Sequence, residues 1–214
     1  MTRKTILALC AVAAFSLPGC KLVMNPPEGE KAVSAGAGGD NVRTEQRITD
    51  TFQAQLLPYV RDRALTFPAF RAALATGLDE AGKTHGNRGS GQGAAWNFAV
   101  ADKGVIVSAK LDTRARVAGL DMDGDGSSDL TIQLGPVIRG NALRDIAPFY
   151  NFDDFRDQIE FAKLGRALND RISAMVELPE GDLIGRSMAF TGVVPLKKPD
   201  EPIVVTPISV EVTP

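Results

Sequence analysis

The sequence has few of the residues from which metal centres and nucleophilic sites are usually built. Its two cysteines, Cys10 and Cys20, both lie near the N-terminus, and His85 is the single histidine. The body of the chain therefore has no disulfide framework and no thiol chemistry. Zinc sites and catalytic triads that need histidine are nearly excluded as well.

An excess of basic residues is also missing. Lysine and arginine together number 24 against 26 acidic residues, and removal of the N-terminal Arg3 and Lys4 leaves 22 against 26, a formal charge of −4. Proteins that bind duplex nucleic acid need a basic surface, so nucleic acid is not expected as a partner. Hydrophobic residues make up 44% of the chain, which is ordinary for a globular core.

The N-terminus carries an apolar run at 6–15, too short to span a bilayer of about 30 Å as a permanent helix. A charged start precedes this run, and the sequence LPGC follows it and fits a lipobox. The pattern predicts a lipoprotein signal peptide over 1–19 and acylation of Cys20; an ordinary secretory signal with an incidental cysteine is the alternative. Lipid chains on Cys20 would anchor the protein in the bacterial periplasm, to either the inner or the outer membrane.

The next part of the chain predicts a tether and then helices. Residues 20–41 are rich in glycine, alanine, proline and charge, which predicts a flexible tether. Amphipathic helical patterns at 44–64 and 67–82 follow, within a helical part over 42–93. The glycine-rich run around His85 lacks the Gly-Lys-Ser/Thr ending of a phosphate loop, so it predicts a solvent loop.

From residue 95 the hydrophobic pattern alternates, which predicts antiparallel strands. Turn signals, including Asp102-Lys103-Gly104, divide the pattern into strands at about 95–101, 104–111, 114–121 and 128–134, and two more follow at 186–195 and 203–212. Between these groups we predict a long helix over 153–178, capped by Asn151 or Asp153. Its buried face would consist of Phe161, Leu164, Leu168, Ile172 and Met175.

This order of elements predicts an α+β fold. A small antiparallel OB-like β-barrel with one inserted long helix would occupy 94–214, preceded by the N-terminal helical part.

An acidic cluster on a predicted turn is the sharpest motif. Asp121, Asp123, Asp125 and Asp129 match the pattern D-x-D-G-D-G-x-x-D. Calcium takes about six to eight oxygen ligands, and alternate carboxylates on a glycine-tightened loop can converge on one ion. Ile132 in place of the final glutamate excludes an EF-hand. The turn is similar to the calcium turns of integrin-type propeller repeats; the alternative is a solvated Asp-Gly hairpin without metal.

A second constellation follows the fourth predicted strand. Arg139, Asn141, Arg144 and Asp145 lie within seven positions and could grip an anionic or hydroxylated ligand. The alternative is a purely structural pair between Arg144 and Asp145.

The sequence around these residues resembles a known family. GPVIRGNALRD, which begins at Gly135, and FYNFDDFRDQIEFAKLGRALNDR, which begins at Phe149, are similar to the signature of an uncharacterised family of predicted periplasmic lipoproteins. The resemblance covers most of the mature chain, although Asn141 stands where the family has threonine. Because members are commonly encoded beside ribose-type sugar ABC transporters, the resemblance implies a role near sugar uptake. It implies no catalytic residues.

We therefore expect a non-enzymatic, membrane-anchored accessory protein that binds a sugar or a component of a sugar ABC importer. One alternative is a hydrolase of envelope carbohydrates or phosphoesters that uses Asp121, Asp123 or Asp145. Another is a purely structural scaffold of the envelope.

Overall fold

The computed structural model describes residues 33–91 and 93–214, in which four α-helices are followed by four strands, two α-helices and two final strands. The predicted signal peptide 1–19, Cys20 and most of the predicted tether 20–41 lie outside the described residues. The α-helices are α1 Asp40–Thr51, α2 Leu57–Arg63, α3 Phe67–Ala75, α4 Leu78–His85, α5 Ala142–Asp145 and α6 Gln158–Ser173. The strands are β1 Gly86–Arg88, β2 Trp96–Lys110, β3 Ala115–Asp121, β4 Leu130–Pro136, β5 Ser187–Leu196 and β6 Val204–Thr213.

Strands β2 to β6 close into a five-stranded barrel. Their order is β2-β3-β4-β6-β5, and β5 pairs back on to β2. Every pairing is antiparallel except that of β4 with β6, where Thr131 is opposite Val204. Helix α6 lies between β4 and β5 along the chain, and a small five-stranded barrel of this kind is the architecture of the OB fold. The predicted α+β class and OB-like barrel are confirmed.

Two predicted strands, 95–101 and 104–111, are one continuous strand, β2. The predicted turn at Asp102-Lys103-Gly104 was wrong because these residues pair with Phe190–Met188 of β5. Asp102 instead accepts a hydrogen bond from the N–H of Phe67 at 2.7 Å, at the start of α3. A Cβ on Gly104 would lie 2.7 Å from the carbonyl oxygen of Asp121, so glycine is needed where β2 passes from β5 to β3.

The helices begin before the predicted boundary of 42 and end at His85, before the predicted boundary of 93. Helix α1 begins at Asp40, before the predicted boundary at 42, and a π-helical turn at Phe52–Leu56 joins it to α2. Pro58 lies two positions after the π-helical turn, and because proline has no N–H to donate to the preceding turn, the departure from regular α-helix at this point is expected. The predicted solvent loop around His85 was wrong, since His85 ends α4 and Gly86–Arg88 pair with β2.

The long helix is shorter than the predicted 153–178. Helix α6 begins after Asp157, whose side chain accepts hydrogen bonds from the N–H groups of Ile159 and Glu160, so neither Asn151 nor Asp153 caps it. Asn151 caps a separate 3-10 turn at Phe152–Asp154. The predicted buried residues Phe161, Leu164, Leu168 and Ile172 are buried, whereas Met175 lies beyond the helix and is 44% exposed.

Two apolar clusters form the core. One fills the barrel and reaches α3, where the rings of Phe70 and Phe98 lie 5.3 Å apart. The other lies between the outside of the barrel, α1, α2 and α6, and includes Phe52, Leu143 and Leu164. The segment from Pro136 to α5 lies against both α6 and the barrel, and the candidate site residues are in this segment.

Candidate functional site

The four predicted ligand-binding residues do not form one site. Arg139 lines a groove on the barrel surface, whereas Asn141, Arg144 and Asp145 line depressions beside α6. The chain turns between them at Gly140, whose φ of 88° lies in the left-handed region that glycine adopts without strain. Arg139 therefore lies on a different surface from the other three residues, although all four are close in sequence.

The Arg144 side chain is held by three contacts. Its Nε donates to Oδ1 of Asp145 at 2.7 Å, its Nη1 donates to the carbonyl oxygen of Phe161 at 3.2 Å, and its guanidinium lies 3.7 Å from the centre of the Phe161 ring. Arg144 is only 9% exposed. Among the described residues, its Nη2 has no hydrogen-bond partner, so the donors of that nitrogen remain available at a fixed position.

Two adjoining depressions of about 210 and 340 Å³ share Arg144 and Ser90, and we call them together the Arg144 cleft. Amide, hydroxyl and aromatic side chains predominate in its lining, and Asp145 is the single acidic residue there. The other charged, polar and aromatic lining residues are Asn87, Arg88, Asn141, Tyr150, Asn151, Phe152, Gln158 and Phe161.

Two glycines keep this cleft in shape. A Cβ on Gly165 in α6 would lie 2.4 Å from Oδ1 of Asn141, so the absence of a side chain at this glycine leaves room for the amide of Asn141. A Cβ on Gly89 would lie 3.0 Å from the carboxyl carbon of Asp145. The amide of Asn87 donates to the carbonyl oxygen of Asp145 at 2.8 Å and ties the β1 segment to α5.

The second surface, which we call the barrel groove, has a volume of about 660 Å³. It lies on β3 and β4 and is bounded by the β2–β3 connection and by the ends of β5 and β6. Lys110 and Arg139 supply its charge, and no acidic or aromatic residue is among its described lining residues. The remaining lining residues are Thr113, Ala115, Val117, Thr131, Gln133, Val137, Gly140, Pro195 and Val204.

The acidic turn is a hairpin between β3 and β4. Carboxylate oxygens of Asp121, Asp123 and Asp129 lie within 4.8 Å of one another, whereas Asp125 is outside this group. Oδ2 of Asp121 accepts a hydrogen bond from the N–H of Gly126 at 2.8 Å, and its Oδ1 accepts one from Gly124 at 2.7 Å. These two hydrogen bonds, in that order of effect, hold the pKa of Asp121 below its ordinary value.

Backbone N–H groups therefore satisfy the Asp121 carboxylate without a cation. The predicted calcium site and the plain hairpin are both compatible with this arrangement, and calcium binding stays a prediction.

A buried ionic network is the feature that sequence reasoning missed. The carboxylate of Asp40 is fully buried and contacts Arg43 at 2.7 Å, Lys163 at 3.0 Å and Arg156 at 3.1 Å. Arg43 also contacts Glu160 at 2.6 Å. The network joins the first turn of α1 to the first turns of α6.

These contacts shift the titration of both carboxyl groups. The hydrogen bond from Arg156, followed by that from Lys163, lowers the pKa of Asp40 against the opposing effect of burial. The hydrogen bond from Arg43 likewise lowers the pKa of Glu160. Only a weak signal for this network is present in the sequence. Asp40 lies four positions before Thr44, where the helical pattern begins, but the composition of the surrounding stretch favours a tether.

Comparison with known proteins identifies a family and a fold. The family model described as predicted periplasmic lipoprotein (DUF2291) matches residues 10–211. A crystal structure of an OB-fold protein from Thermotoga maritima is similar, with a TM-score of 0.56 and 16% sequence identity over 81% of this chain and 98% of that chain. No curated protein matches the chain significantly. In residues 33–91 and 93–214, no helix is long and apolar enough to cross a bilayer.

Proposed function

Since the chain belongs to the family of predicted periplasmic lipoproteins (DUF2291), we propose that it is a membrane-anchored, non-enzymatic protein that binds a sugar in the Arg144 cleft. Anchoring would occur through acylated Cys20. The protein would act as an accessory to sugar import through an ABC transporter, a role that we propose from the family resemblance.

The availability of Nη2 of Arg144 is the observation that carries the proposal. A buried guanidinium held by Asp145 and Phe161 loses little conformational entropy when a ligand arrives, because its rotamer is already fixed. Arg144 lines both depressions of the cleft, and its Nη2 has no protein acceptor among the described residues. Such a group is suited to orient a polar ligand.

The polar lining of the cleft favours a hydroxylated ligand. Arg88 and Arg144 line it together with Asp145, which lies 2.7 Å from Arg144 and neutralises that one charge, so an incoming anion would meet a carboxylate as well as cations. A sugar hydroxyl both donates and accepts hydrogen bonds, and amides such as Asn141 and Gln158 offer both roles. The ring of Phe152 is 37% exposed at the rim and offers an apolar face to a sugar ring.

The same lining argues against the hydrolase alternative. Hydrolysis of a glycosidic bond usually requires a pair of carboxyl groups on either side of the bond. Asp145 is the single acidic residue that lines the cleft in the described chain, and it is already paired with Arg144. Asp121 and Asp123 lie on a hairpin that contributes no residue to the cleft.

A ligand screen tests the proposal on the chain from Lys21 to Pro214. Melting temperatures are measured with ribose, xylose, glucose and galactose, and calorimetry follows any sugar that raises the melting temperature. A sugar at a hundredfold excess over its dissociation constant stabilises the folded state by about 2.7 kcal/mol, which such a screen detects.

Variants locate the site. Arg144→Lys keeps the charge beside Asp145 but removes the Nη donors. Phe152→Ala removes a ring that is partly exposed and that lies 5.5 Å from the buried ring of Phe161. Both should weaken sugar binding by about tenfold or more, which corresponds to the loss of one good polar or aromatic contact. Arg139→Gln, in the barrel groove, is the matched control and should bind normally. The absence of any sugar response, or equal affinity in all three variants, would contradict the proposal.

A further inference from the structure

We propose that the barrel groove is a second ligand site, which binds a small amphipathic anion: a carboxylate or phosphate group carried on a short apolar body. This inference does not depend on sugar binding in the Arg144 cleft, because the two surfaces share no described lining residue.

The position of the groove is the starting point. It lies across β3 and β4, the second and third strands of the barrel. Thr113 contributes from the β2–β3 connection, and Pro195 and Val204 contribute from either side of the β5–β6 connection. OB-fold proteins commonly bind ligands on this face and between these two connections.

The size and walls of the groove match a small-molecule site. Pockets that bind small ligands measure about 300–1,000 Å³, are mostly apolar and contain a few placed polar groups. The groove measures about 660 Å³, and its floor and sides include Val117, Val137 and Val204. An apolar body of a few carbon atoms would cover these side chains.

Two unpaired cations determine the sign of the ligand. Within the described residues, the side chains of Lys110 and Arg139 form no ion pair and no hydrogen bond, and both residues are exposed. No acidic residue lines the groove to neutralise them, in contrast to the Arg144 cleft. The lining also has no aromatic ring on which a sugar could stack. The groove is therefore complementary to an anion with an apolar body.

The wall that carries Arg139 is held in place before a ligand arrives. Gln133 is 8% exposed, accepts a hydrogen bond from the N–H of Arg139 at 2.8 Å and donates to the carbonyl oxygen of Arg139 at 3.2 Å. The N–H of Val137 donates to the carbonyl oxygen of Arg114 at 2.8 Å. A wall fixed in this way avoids the entropy cost of ordering a loop on binding.

The test uses hexanoate, hexyl phosphate and the neutral hexanamide as probes on the chain from Lys21 to Pro214. Calorimetry measures affinity, and amide NMR shifts at Thr131 and Val204 report the location. We expect both anions to bind at least about tenfold more tightly than hexanamide, since charge-assisted hydrogen bonds are about twice as strong as neutral ones. The double variant Lys110→Gln with Arg139→Gln should remove this preference, whereas Arg114→Gln, an exposed arginine outside the groove lining, should retain it.

Three results would overturn the inference. One is equal affinity for hexanoate and hexanamide, and another is unchanged anion affinity in the double variant. The third is binding of phosphatidylglycerol vesicles without any response to the soluble anions, which would indicate a membrane contact. Addition of ribose should leave the anion affinity unchanged, so failure here and failure of sugar binding in the Arg144 cleft are separate outcomes.

Discussion

At the scale of single residues, Asp40 has the most demanding environment. A carboxylate with no exposed surface is stable only when its charge is compensated, and Arg43, Arg156 and Lys163 provide that compensation. Arg156 lies just before α6 and Lys163 lies within it. Asp40 therefore links the start of α1 to α6 through these two ion pairs. Its function is therefore structural.

The lowered pKa values of Asp40 and Glu160 predict the direction of acid sensitivity. A carboxyl group whose pKa is lower in the folded than in the unfolded state stabilises the fold above its unfolded pKa, and that stabilisation disappears as the pH falls through the folded pKa. In the unfolded chain, aspartate and glutamate side chains titrate at about pH 4. We expect urea midpoints to change little between about pH 5 and 7 and to fall steeply below about pH 4.

Asp40→Asn checks the origin of this profile. It should lower the urea midpoint at neutral pH, because three cations lose their shared anion, and it should make the fall in acid shallower. Asp50→Asn, an exposed aspartate on the same helix, should leave both quantities unchanged. An acid profile that is identical in the wild type and in Asp40→Asn would exclude Asp40 as its cause.

Local sequence could not identify these partners. Arg156 and Lys163 lie 116 and 123 positions from Asp40, and glycine and alanine around Asp40 favour a tether. Arg139 and Arg144, in contrast, stood out as arginines beside a glycine and an amide. Their division between two surfaces depends on the turn at Gly140 and on packing against α6, which residue spacing alone does not reveal.

At the scale of elements, β2 shows why turn-forming residues do not always form a turn. Asp102-Lys103-Gly104 has strong turn chemistry, yet pairing with β5 on one side and β3 on the other keeps the strand continuous. Gly104→Ala should destabilise the fold by about 1–3 kcal/mol, because the new Cβ would press on the backbone carbonyl of Asp121, which cannot rotate away.

Chemical denaturation of the Gly104→Ala variant measures this cost. Lys103→Ala, an exposed position in the same strand, is the control and should change the free energy of unfolding by less than about 0.5 kcal/mol. If Gly104→Ala were as mild as the control, the close approach of β2 and β3 at this point would be wrong.

The acidic hairpin carries the calcium prediction. We expect millimolar calcium to raise the melting temperature, because one ion would relieve repulsion among Asp121, Asp123 and Asp129. Asp123→Asn should reduce the shift, whereas Asp125→Asn should largely retain it, since Asp125 lies outside the group of converging oxygens. A melting temperature that ignores calcium would identify the element as a plain hairpin held by the Asp121 side chain.

Helix α6 illustrates which features of an element are readable from sequence. Its apolar stripe of Phe161, Leu164, Leu168 and Ile172 follows helical spacing and is buried as predicted. Its start is not readable, because Asn151, Asp153 and Asp157 are all competent caps and the choice depends on where Phe155 packs. Phe155 is 8% exposed and lies 4.9 Å from the ring of Phe161, in an extended conformation that interrupts the helix.

At the scale of the whole molecule, the order of helices and strands along the sequence was enough to predict most of the fold. Alternating patterns, a helix and two further strands sufficed to predict an OB-like barrel, because few small closed β-barrels have that order of elements. Closure of β5 on to β2 and the parallel contact of β4 with β6 join residues far apart along the chain. Their register is set by packing inside the barrel and had no local signal.

The boundary between tether and folded body is also a property of the whole molecule, and it can be tested by truncation. A chain that begins at Val42, the predicted boundary, lacks Asp40 and leaves Arg43, Arg156 and Lys163 without their shared anion. It should therefore melt at a lower temperature than a chain that begins at Ser34, where the compact unit starts. Circular dichroism during heating measures the difference.

A third chain assigns the cause of that difference. Asp40→Asn within the chain that begins at Ser34 should account for much of the loss, because the truncated residues make their main long-range contact with α6 through Asp40. Equal melting temperatures for the chains that begin at Ser34 and Val42 would mean that the network adds nothing to stability. The folded body would then begin after Asp40, and the ion pairs would only orient the first turn of α1 relative to α6.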